Sequence, residues 1–283
     1  MECKAALIVG VAPQLKAMLF DVLRAPDWSV REAPDNAAAL EAVRSNAFDL
    51  ILTSVKTSGQ EDLELLRRIR QVHPHTRVII LTDQRTPDDV LAAIREGAFS
   101  YFSSPFSVSA LEDMVRNAME GAAWEDGIKV ISNAPNWVRL AARCDAKTAD
   151  RLLQFAQEIF DLPEDEREPV ATALRELLMN AIEHGGKFDP EKYVELSYVR
   201  TKRAVACRLK DPGEGFSLDE IVHAAVANPP EDPLRHVGHR EAANLRPGGF
   251  GVLLARNSVD ELMYTEQGNE VLLIKYLDKC PDA

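Results

Sequence analysis

Apolar runs alternate with amphipathic stretches through the first 120 residues of the chain. Short apolar runs predict buried parallel strands, and apolar positions three or four residues apart predict helices that cover the sheet. The pattern predicts five βα units and therefore a five-stranded, doubly wound parallel sheet of the α/β class. The predicted strands are Ala6–Val9, Ser29–Glu32, Leu50–Thr53, Val78–Thr82 and Ser100–Phe102, and the predicted helices are Leu15–Leu23, Ala37–Ser45, Leu63–Val72, Pro87–Glu96 and Ser109–Met119.

The periodic pattern lapses in Gly121–Pro135, which predicts a linker (121–135) between a domain at residues 1–120 and another at residues 136–280. In the second domain helices precede runs of strands, which predicts an α+β sandwich with helices on one face of a mostly antiparallel sheet. A loop of roughly thirty residues before Gly249 predicts a lid or a disordered segment. The predicted strands are Trp137–Ala142, Tyr193–Arg200, Val205–Lys210, Glu261–Thr265 and Glu270–Tyr276, and the helices are Thr148–Phe160, one that ends near Gly185, and Phe250–Ser258.

Net charge and cysteine usage disfavour some partners and indicate a compartment. The formal charge of −12 disfavours general binding to nucleic acid or to an anionic membrane, whose phosphates would be repelled. Cys3, Cys144, Cys207 and Cys280 are widely scattered, which predicts reduced thiols rather than a disulfide framework or a zinc site. No apolar run approaches the roughly 20 residues that span a bilayer, and the N-terminal stretch lacks a signal-peptide cleavage pattern. We therefore expect a cytoplasmic protein.

The segment "REGAFSYFSSPF" precedes the last predicted helix of the first domain. It resembles the Gly-Ala…Tyr…Lys-Pro-Phe segment of response-regulator receiver domains, whose flavodoxin-like fold matches the predicted sheet. Thr82, at the end of the fourth predicted strand, is similar to the switch threonine of that family. The matching positions in the segment are Gly97, Ala98, Tyr101, Pro105 and Phe106.

Three positions that carry the chemistry of receiver domains hold other residues in this chain. Gly10–Val11 replaces the acidic pair that binds Mg²⁺, Ser54 the acceptor aspartate, and Ser104 the lysine. A hard divalent cation needs carboxylate oxygens, and a serine hydroxyl cannot form an acyl phosphate. Asp49 begins its strand at the opposite edge of the sheet, and Asp83 alone does not rebuild the site. We therefore expect a pseudo-receiver that docks partners or mediates homodimerisation.

The peptide "ELLMNAIEHGG" in the second domain places Glu176, Asn180 and His184 at intervals of four residues. On an α-helix such residues lie about 40° apart in succession and form one stripe. A solvated polar surface beside an apolar face explains this stripe equally well when it is taken alone.

Two glycine-rich turns accompany this helix. "DPGEGF" follows a predicted strand, where glycines let the backbone approach a flat ligand and a carboxylate can accept a hydrogen bond from an exocyclic amine. "RPGGFG" leads into a predicted helix, whose first N–H groups suit phosphate oxygens. Turns and caps explain either run alone, but the stripe and both turns in this order indicate a nucleotide site. The residues concerned are Asp211, Gly213, Gly215, Gly248, Gly249 and Gly251.

This order resembles the ATP-binding domain shared by gyrase, sensor histidine kinases and anti-sigma-factor serine kinases, the GHKL or Bergerat fold. The resemblance implies ATP and Mg²⁺ as cofactors, with Asn180 as a Mg²⁺ ligand and Asp211 as the partner of the adenine amino group. It implies Glu176 as the general base that deprotonates the attacking hydroxyl or water. It also implies that His184 and Lys187 face the phosphates, which the backbone of the second glycine box holds.

The compact anti-sigma-factor serine kinases are the most similar branch, because no dimerisation hairpin with an acceptor histidine precedes the second domain. The second glycine box departs from theirs, since it reads Pro-Gly-Gly-Phe-Gly and follows a long lid. In that lid, His236 and His239 lack a third metal ligand at suitable spacing. Arg240 and Arg246 could contact phosphates when the lid closes, and plain solvent exposure of these side chains is an equal alternative.

These features predict a bacterial signalling protein that binds ATP–Mg²⁺ and phosphorylates a serine or threonine of a partner protein, or sequesters that partner. The resemblance implies a sigma factor or an anti-anti-sigma-like protein as the partner, with no nucleic acid and no membrane. Two alternatives stay open: a non-catalytic nucleotide-binding or partner-sequestering module, and a histidine kinase that acts in trans.

Overall fold

The computed structural model describes most of the chain, which divides into two units of contacting residues. One unit comprises Met1–Asp126 with Gln154–Asp161, and the other comprises Gly127–Leu153 with Leu162–Ala283. The described residues are 4–11, 13–23, 28–53, 57–119, 127–134, 136–160, 162–216, 228, 232, 234–242 and 249–277.

Five parallel strands alternate with five helices in the described part of the first unit. The strands are β1 (Lys4–Val9), β2 (Trp28–Ala33), β3 (Leu50–Leu52), β4 (Arg77–Thr82) and β5 (Ser100–Ser103). The helices are α1 (Pro13–Val22), α2 (Asn36–Ser45), α3 (Gly59–Val72), α4 (Pro87–Arg95) and α5 (Val108–Met119). The strands lie in the order β2-β1-β3-β4-β5 with every pair parallel, which confirms the predicted doubly wound sheet.

The sheet of the first unit is covered on both faces, since successive side chains of a strand point to opposite sides. One face packs against α1 and α5, which also contact each other. The helices α2, α3 and α4 contact one another in succession on the other side. The residues of the α1/α5 layer include Ala6, Ile8, Leu19, Leu50, Leu52, Ile79, Leu81, Leu111 and Val115, all of them buried.

Helix α3 begins with a capping box. The Ser58 side chain accepts a hydrogen bond from the Glu61 N–H, and the Glu61 carboxylate accepts one from the Ser58 N–H at 2.9 Å. These bonds satisfy N–H groups that a helix start otherwise leaves without partners. The helix therefore starts at Gly59, earlier than the predicted Leu63. The apolar spacing located the buried turns of α3 but not its polar first turn.

Hydroxyl groups occupy much of the carboxyl edge of this sheet. Thr53 and Thr82 are fully buried, and their hydroxyls donate hydrogen bonds to main-chain carbonyl groups. Asp49 lies at the opposite edge, as predicted, and its carboxylate accepts a hydrogen bond from the Ala5 N–H at 2.7 Å. Ser54, the predicted counterpart of an acceptor aspartate, lies outside the described residues.

A carboxyl group that the sequence pattern did not single out is buried close to the Thr57 loop. Asp62, in the first turn of α3, is 0% exposed. Its Oδ1 accepts hydrogen bonds from the Thr57 hydroxyl at 2.7 Å and from the Asn36 amide at 3.4 Å. Its Oδ2 is buried without a hydrogen-bond partner in the described part of the chain. Burial raises the pKa of Asp62 to about 7, although the hydrogen bonds from Thr57 and Asn36 oppose the rise.

The substitution Asp62→Asn is expected to remove a pH dependence of stability. The pKa of Asp62 rises from an ordinary 3.8 to about 7 on folding, so the folded state keeps a proton that the unfolded chain releases. The free energy of unfolding therefore falls as pH rises from about 4 to about 7, and it levels off above that range. Urea denaturation at several pH values measures this as a widening difference in favour of the D62N chain, whose amide stays neutral. An equal substitution at the exposed Asp83 serves as the control, and parallel curves for wild type and D62N would refute the assignment.

The second unit contains a six-stranded antiparallel sheet and several helices. The strands are β6 (Ile128–Ala134), β7 (Trp137–Arg143), β8 (Tyr193–Arg200), β9 (Ala204–Lys210), β10 (Glu261–Tyr264) and β11 (Glu270–Tyr276). The helices are α6 (Ala146–Ile159), α7 (Glu164–Asn180), a π-helix (Ala181–Gly186), α8 (Arg235–Ala242) and α9 (Gly251–Ser258). The strand order β10-β11-β9-β8-β7-β6, with α7 packed against α9, confirms the predicted α+β class.

Two elements of this unit differ from the sequence prediction. Strand β6 occupies residues assigned to the linker, and it pairs antiparallel with β7. A register shift between Val130 and Ser132 breaks the alternation of apolar and polar residues there, which hid the strand. Helix α8 lies within the stretch predicted as a loop, because its polar sequence shows no apolar stripe. Among the described helices, none has both the length and the apolar character that crossing a membrane requires.

An ion pair at the edge of the helical layer ties β11 to α7. Lys275 follows Val271 and Leu273 on the buried side of β11, and its Nζ lies 2.9 Å from Oε2 of Glu166. The two side chains are only 14% and 8% exposed. Removal of one partner from such a pair leaves a poorly hydrated charge, which is costly.

We expect Lys275→Met to lower the free energy of unfolding by about 3 kcal/mol, because it leaves the Glu166 carboxylate buried without its cation. Urea denaturation of the purified chain measures this loss. Arg175→Met is the matched control on α7, since the ion pair of Arg175 with Asp150 is 58% and 48% exposed. That variant should lose less than about 1 kcal/mol. Equal losses in the two variants would contradict the role given to Lys275.

Candidate functional site

Helix α7 and the π-helix that continues it carry three of the predicted site residues. Glu176 and Asn180 lie on α7 and are half-buried, whereas His184 lies in the π-helix and is exposed. The hydrogen bonds of a π-helix join residues five apart, so each residue turns through a smaller angle than in an α-helix. The predicted even stripe is therefore wrong at His184. Lys187 ends the π-helix with a φ of 57°, in the left-handed region.

Helix α9 begins against the polar side of α7. A Cβ atom added at Gly251 would lie 2.5 Å from Oε2 of Glu176 and 3.7 Å from Nδ2 of Asn180. Gly251 is the first residue of α9, and the first N–H groups of a helix have no partners within it. Gly249 has a φ of 92°, which favours glycine. The second glycine box therefore brings helix N–H donors next to a carboxylate and a carboxamide.

Asp211 of the first glycine box packs directly on the π-helix. Its Oδ1 accepts a hydrogen bond from the Gly213 N–H at 2.7 Å. A Cβ atom added at Gly185 would lie 2.1 Å from that oxygen and 2.6 Å from the Cβ of Asp211. Only a residue without a side chain allows this approach. The glycine at position 185 therefore positions Asp211.

The turn between β10 and β11 also belongs to the site, and the sequence pattern did not identify it. A Cβ atom added at Gly215 would lie 1.7 Å from the carbonyl oxygen of Gln267, and one at Gly268 would lie 1.8 Å from that of Phe216. Both glycines have positive φ angles, of 86° and 78°. The only signal in the sequence was a Gly-Asn pair, which many hairpin turns contain. Two glycine turns thus interlock at one wall of the site.

These elements surround a cavity of about 900 Å³, a size typical of small-molecule sites. Three aromatic side chains that sequence reasoning missed, Phe216, Phe250 and Tyr264, also line it. Gly248 lies outside the described residues. The predicted site residues in the lining are Glu176, Asn180, His184, Lys187, Asp211, Gly213, Gly215, Gly249 and Gly251.

One wall of the cavity is a carboxyl group beside aromatic rings. The rings of Phe216 and Tyr264 meet edge to face, with 5.3 Å between their centroids. Burial, and next to it the negative charge of Asp211, raise the pKa of Tyr264 to about 12. Burial also raises the pKa of Asp211, while the hydrogen bond from the Gly213 N–H opposes the rise. This wall combines a flat apolar surface with a directional hydrogen-bond acceptor.

The donors and acceptors of the cavity fit a magnesium-bound purine nucleotide. The wall at Asp211 suits a planar base with an exocyclic amine, and the glycine turn at Gly249 and Gly251 presents N–H groups to anionic oxygens. The oxygens of Asn180 and Glu176 are ligands that Mg²⁺ accepts when phosphates complete its coordination. Within the described residues, no group of three or more His, Cys, Asp and Glu side chains could hold a metal ion.

The predicted lid is described only in part. His236 is fully buried in α8. The side chains of His239 and Arg240 and the whole of Arg246 lie outside the described residues. The predicted contact of these arginines with phosphates therefore stays a prediction.

Two family models match the two parts of the chain. Residues 6–116 match the model of the response regulator receiver domain. Residues 140–275 match the model of the histidine kinase-like ATPase domain, and this range contains every predicted nucleotide-site residue.

Curated relatives match the first part of the chain. The response regulator protein PilR of Pseudomonas aeruginosa is 29% identical over 119 residues, which are 42% of this chain and 27% of that protein. The sporulation initiation phosphotransferase F of Bacillus subtilis is 27% identical over 110 residues, which are 39% of this chain and 89% of that protein. The chain spans 27% of the length of PilR and 31% of that of the transcriptional regulatory protein GlrR of Escherichia coli.

Among solved structures, the signal receiver domain of an HD domain-containing protein from Pseudomonas fluorescens Pf-5 is 26% identical, with a TM-score of 0.37. The match covers 42% of this chain and 95% of that one. The fold of each unit and both family models agree on the organisation of the chain. The chain thus carries a response regulator receiver domain followed by a histidine kinase-like ATPase domain, a combination that indicates a signalling protein.

Proposed function

We propose that the ATPase domain binds ATP with Mg²⁺ and phosphorylates a serine or threonine of a partner protein, in the manner of an anti-sigma-factor kinase. One observation carries this proposal: the glycine turn of α9 lies against Glu176 and Asn180, and Asp211 lies against Gly185, around a single cavity. That arrangement places a base-recognising acceptor, phosphate-binding N–H groups and a carboxylate in reach of one ligand.

Binding is divided between two ends of the cavity. At one end, the Asp211 carboxylate accepts a hydrogen bond from the amino group of adenine, and Phe216 and Tyr264 give the base an apolar surface. At the other end, the N–H groups at Gly249 and Gly251 bind phosphate oxygens with the help of the helix dipole of α9. His184 and Lys187, both exposed at the rim, add positive charge or hydrogen-bond donors.

Transfer requires a general base near the phosphate end. When bound, MgATP supplies the phosphoryl group, and Asn180 with its amide oxygen helps to hold the metal ion. The Glu176 carboxylate accepts the proton of the incoming hydroxyl at Oε2, the atom that faces the start of α9. Water at the same position would give hydrolysis instead of transfer.

The receiver domain is proposed to act as a pseudo-receiver that docks the partner or a second copy of the chain. Gly10 and Val11 offer no oxygen ligands from their side chains, and Thr53 and Thr82 are engaged by main-chain groups. Ser104 takes the position of the lysine that pairs with a phosphoryl group. The partner of the ATPase domain would be a sigma factor or an anti-anti-sigma-like protein, as the resemblance to anti-sigma-factor kinases suggests.

Titration calorimetry with ATP, in the presence and in the absence of Mg²⁺, tests the proposal. We expect binding in the micromolar range that weakens at least about tenfold when EDTA replaces Mg²⁺, because the phosphates lose their cation. A pull-down from bacterial lysate with and without ATP, followed by mapping of phosphorylated residues, then identifies the partner. A wild-type chain that binds neither ATP nor ADP with Mg²⁺ would end the proposal.

A further inference from the structure

Helix α8 is exposed to solvent at most of its described positions, but one histidine in it is buried. His236 has 0% relative exposure, whereas Leu234, just before the helix, is 61% exposed. Arg235 and Gly238 are exposed as well. A histidine alone in the interior of an otherwise polar helix needs a partner that favours this position, since burial of an imidazole without hydrogen bonds is costly.

Asn228 supplies that partner through both ends of its amide. Its Oδ1 accepts a hydrogen bond from the His236 N–H at 2.9 Å, and its Nδ2 lies 2.6 Å from Nδ1 of the imidazole. The amide nitrogen can only donate, so Nδ1 accepts and the ring proton is assigned to Nε2. Nε2 is buried and has no hydrogen-bond partner in the part of the chain that the structure describes. The ring is therefore held in one orientation from one side.

The other side of the imidazole meets Phe250, the residue between the two glycines of the phosphate turn. The ring centroids are 4.5 Å apart and the planes are inclined by 89°, which is an edge-to-face contact. Phe250 lines the nucleotide cavity, while its neighbours Gly249 and Gly251 carry the N–H groups assigned to phosphate binding. Glycines on both sides leave the backbone of this turn with few restraints of its own.

We propose that His236 is a positioning residue for the phosphate end of the nucleotide site. Held by Asn228, its ring fixes Phe250 and thereby the turn from Gly249 to Gly251, without contact with the nucleotide itself. This inference rests on the proposed function of the cavity. It predicts a selective effect, because the adenine end at Asp211 is formed by other elements, β9 and the β10–β11 turn.

The test compares ATP with adenosine as probes in titration calorimetry at constant Mg²⁺. His236→Ala should weaken ATP binding about three- to tenfold, the effect of losing one aromatic contact, and should change adenosine binding less than about twofold. His236→Phe keeps a ring against Phe250 and should restore most of the ATP affinity. Leu234→Ala, a change at an exposed position next to α8, should leave both affinities unchanged.

A double-variant cycle provides an independent check if His236→Ala folds poorly. Phe250→Ala should reproduce the ATP-selective loss, and the pair of changes together should lose little more than either alone. Equal loss of ATP and adenosine affinity, or unchanged ATP affinity in His236→Ala, would overturn the inference while wild-type binding leaves the proposed function intact. Additive losses in the cycle would overturn it as well. A wild-type chain that binds neither probe removes the proposed function and this inference together.

Discussion

Replacement of Gly185 by alanine is expected to abolish measurable ATP binding, with an affinity loss of at least about 100-fold. The new Cβ would lie 2.1 Å from Oδ1, 2.3 Å from Cγ and 2.6 Å from Cβ of Asp211. Rotation of the Asp211 side chain cannot relieve a contact with its own Cβ, so the backbone of the first glycine box must move. The carboxylate then leaves the position in which it accepts the amino group of the base.

The measurement is titration calorimetry with ATP and Mg²⁺ on wild type and G185A. Gly238→Ala is the matched control, because a Cβ added at Gly238 meets no atom within 4 Å. This control should bind as wild type does. Circular dichroism of G185A should retain the helical signal, since the change is local to one contact. Wild-type affinity in G185A would show that Asp211 does not contact the ligand.

The second large effect is expected in turnover. Glu176→Gln should lower phosphoryl transfer to the partner, and ATP hydrolysis, by about 10²–10⁴-fold, while ATP affinity changes less than about threefold. Glutamine keeps the size of the side chain and its contact with the start of α9, but its amide cannot accept a proton from a hydroxyl group. The expected signature is therefore a loss of rate at unchanged binding.

Transfer is measured with radiolabelled ATP and the partner recovered in the pull-down. Glu168→Gln, at an exposed position on α7, is the control and should retain full rate. If wild type already shows no transfer and no hydrolysis while ATP and partner still bind, the chain is a sequestering module. If the label on the partner is acid-labile, as phosphohistidine is, the chain acts as a histidine kinase in trans. Acid-stable phosphoserine or phosphothreonine supports the proposed function.

The fold of both domains could be predicted because its signals are local. Strands β1, β3 and β4 are apolar runs, and α3 and α7 repeat their apolar residues at helical spacing, so neighbouring residues suffice to identify them. The edge strand β6 carries a register shift, and only its pairing with β7 defines it. The π-helix at residues 181–186 follows the same kind of sequence as an α-helix.

The candidate site divides in the same way. The sequence by itself determined the identity and order of the chemical groups: a carboxylate and a carboxamide one helical turn apart, then two glycine turns, the first with an aspartate. Only the tertiary structure decided which groups touch. Gly185 lies against Asp211, Gly268 against Phe216, and His236 against Phe250. Contacts between residues far apart in the chain depend on how the elements pack, and no periodicity in a single sequence records that packing.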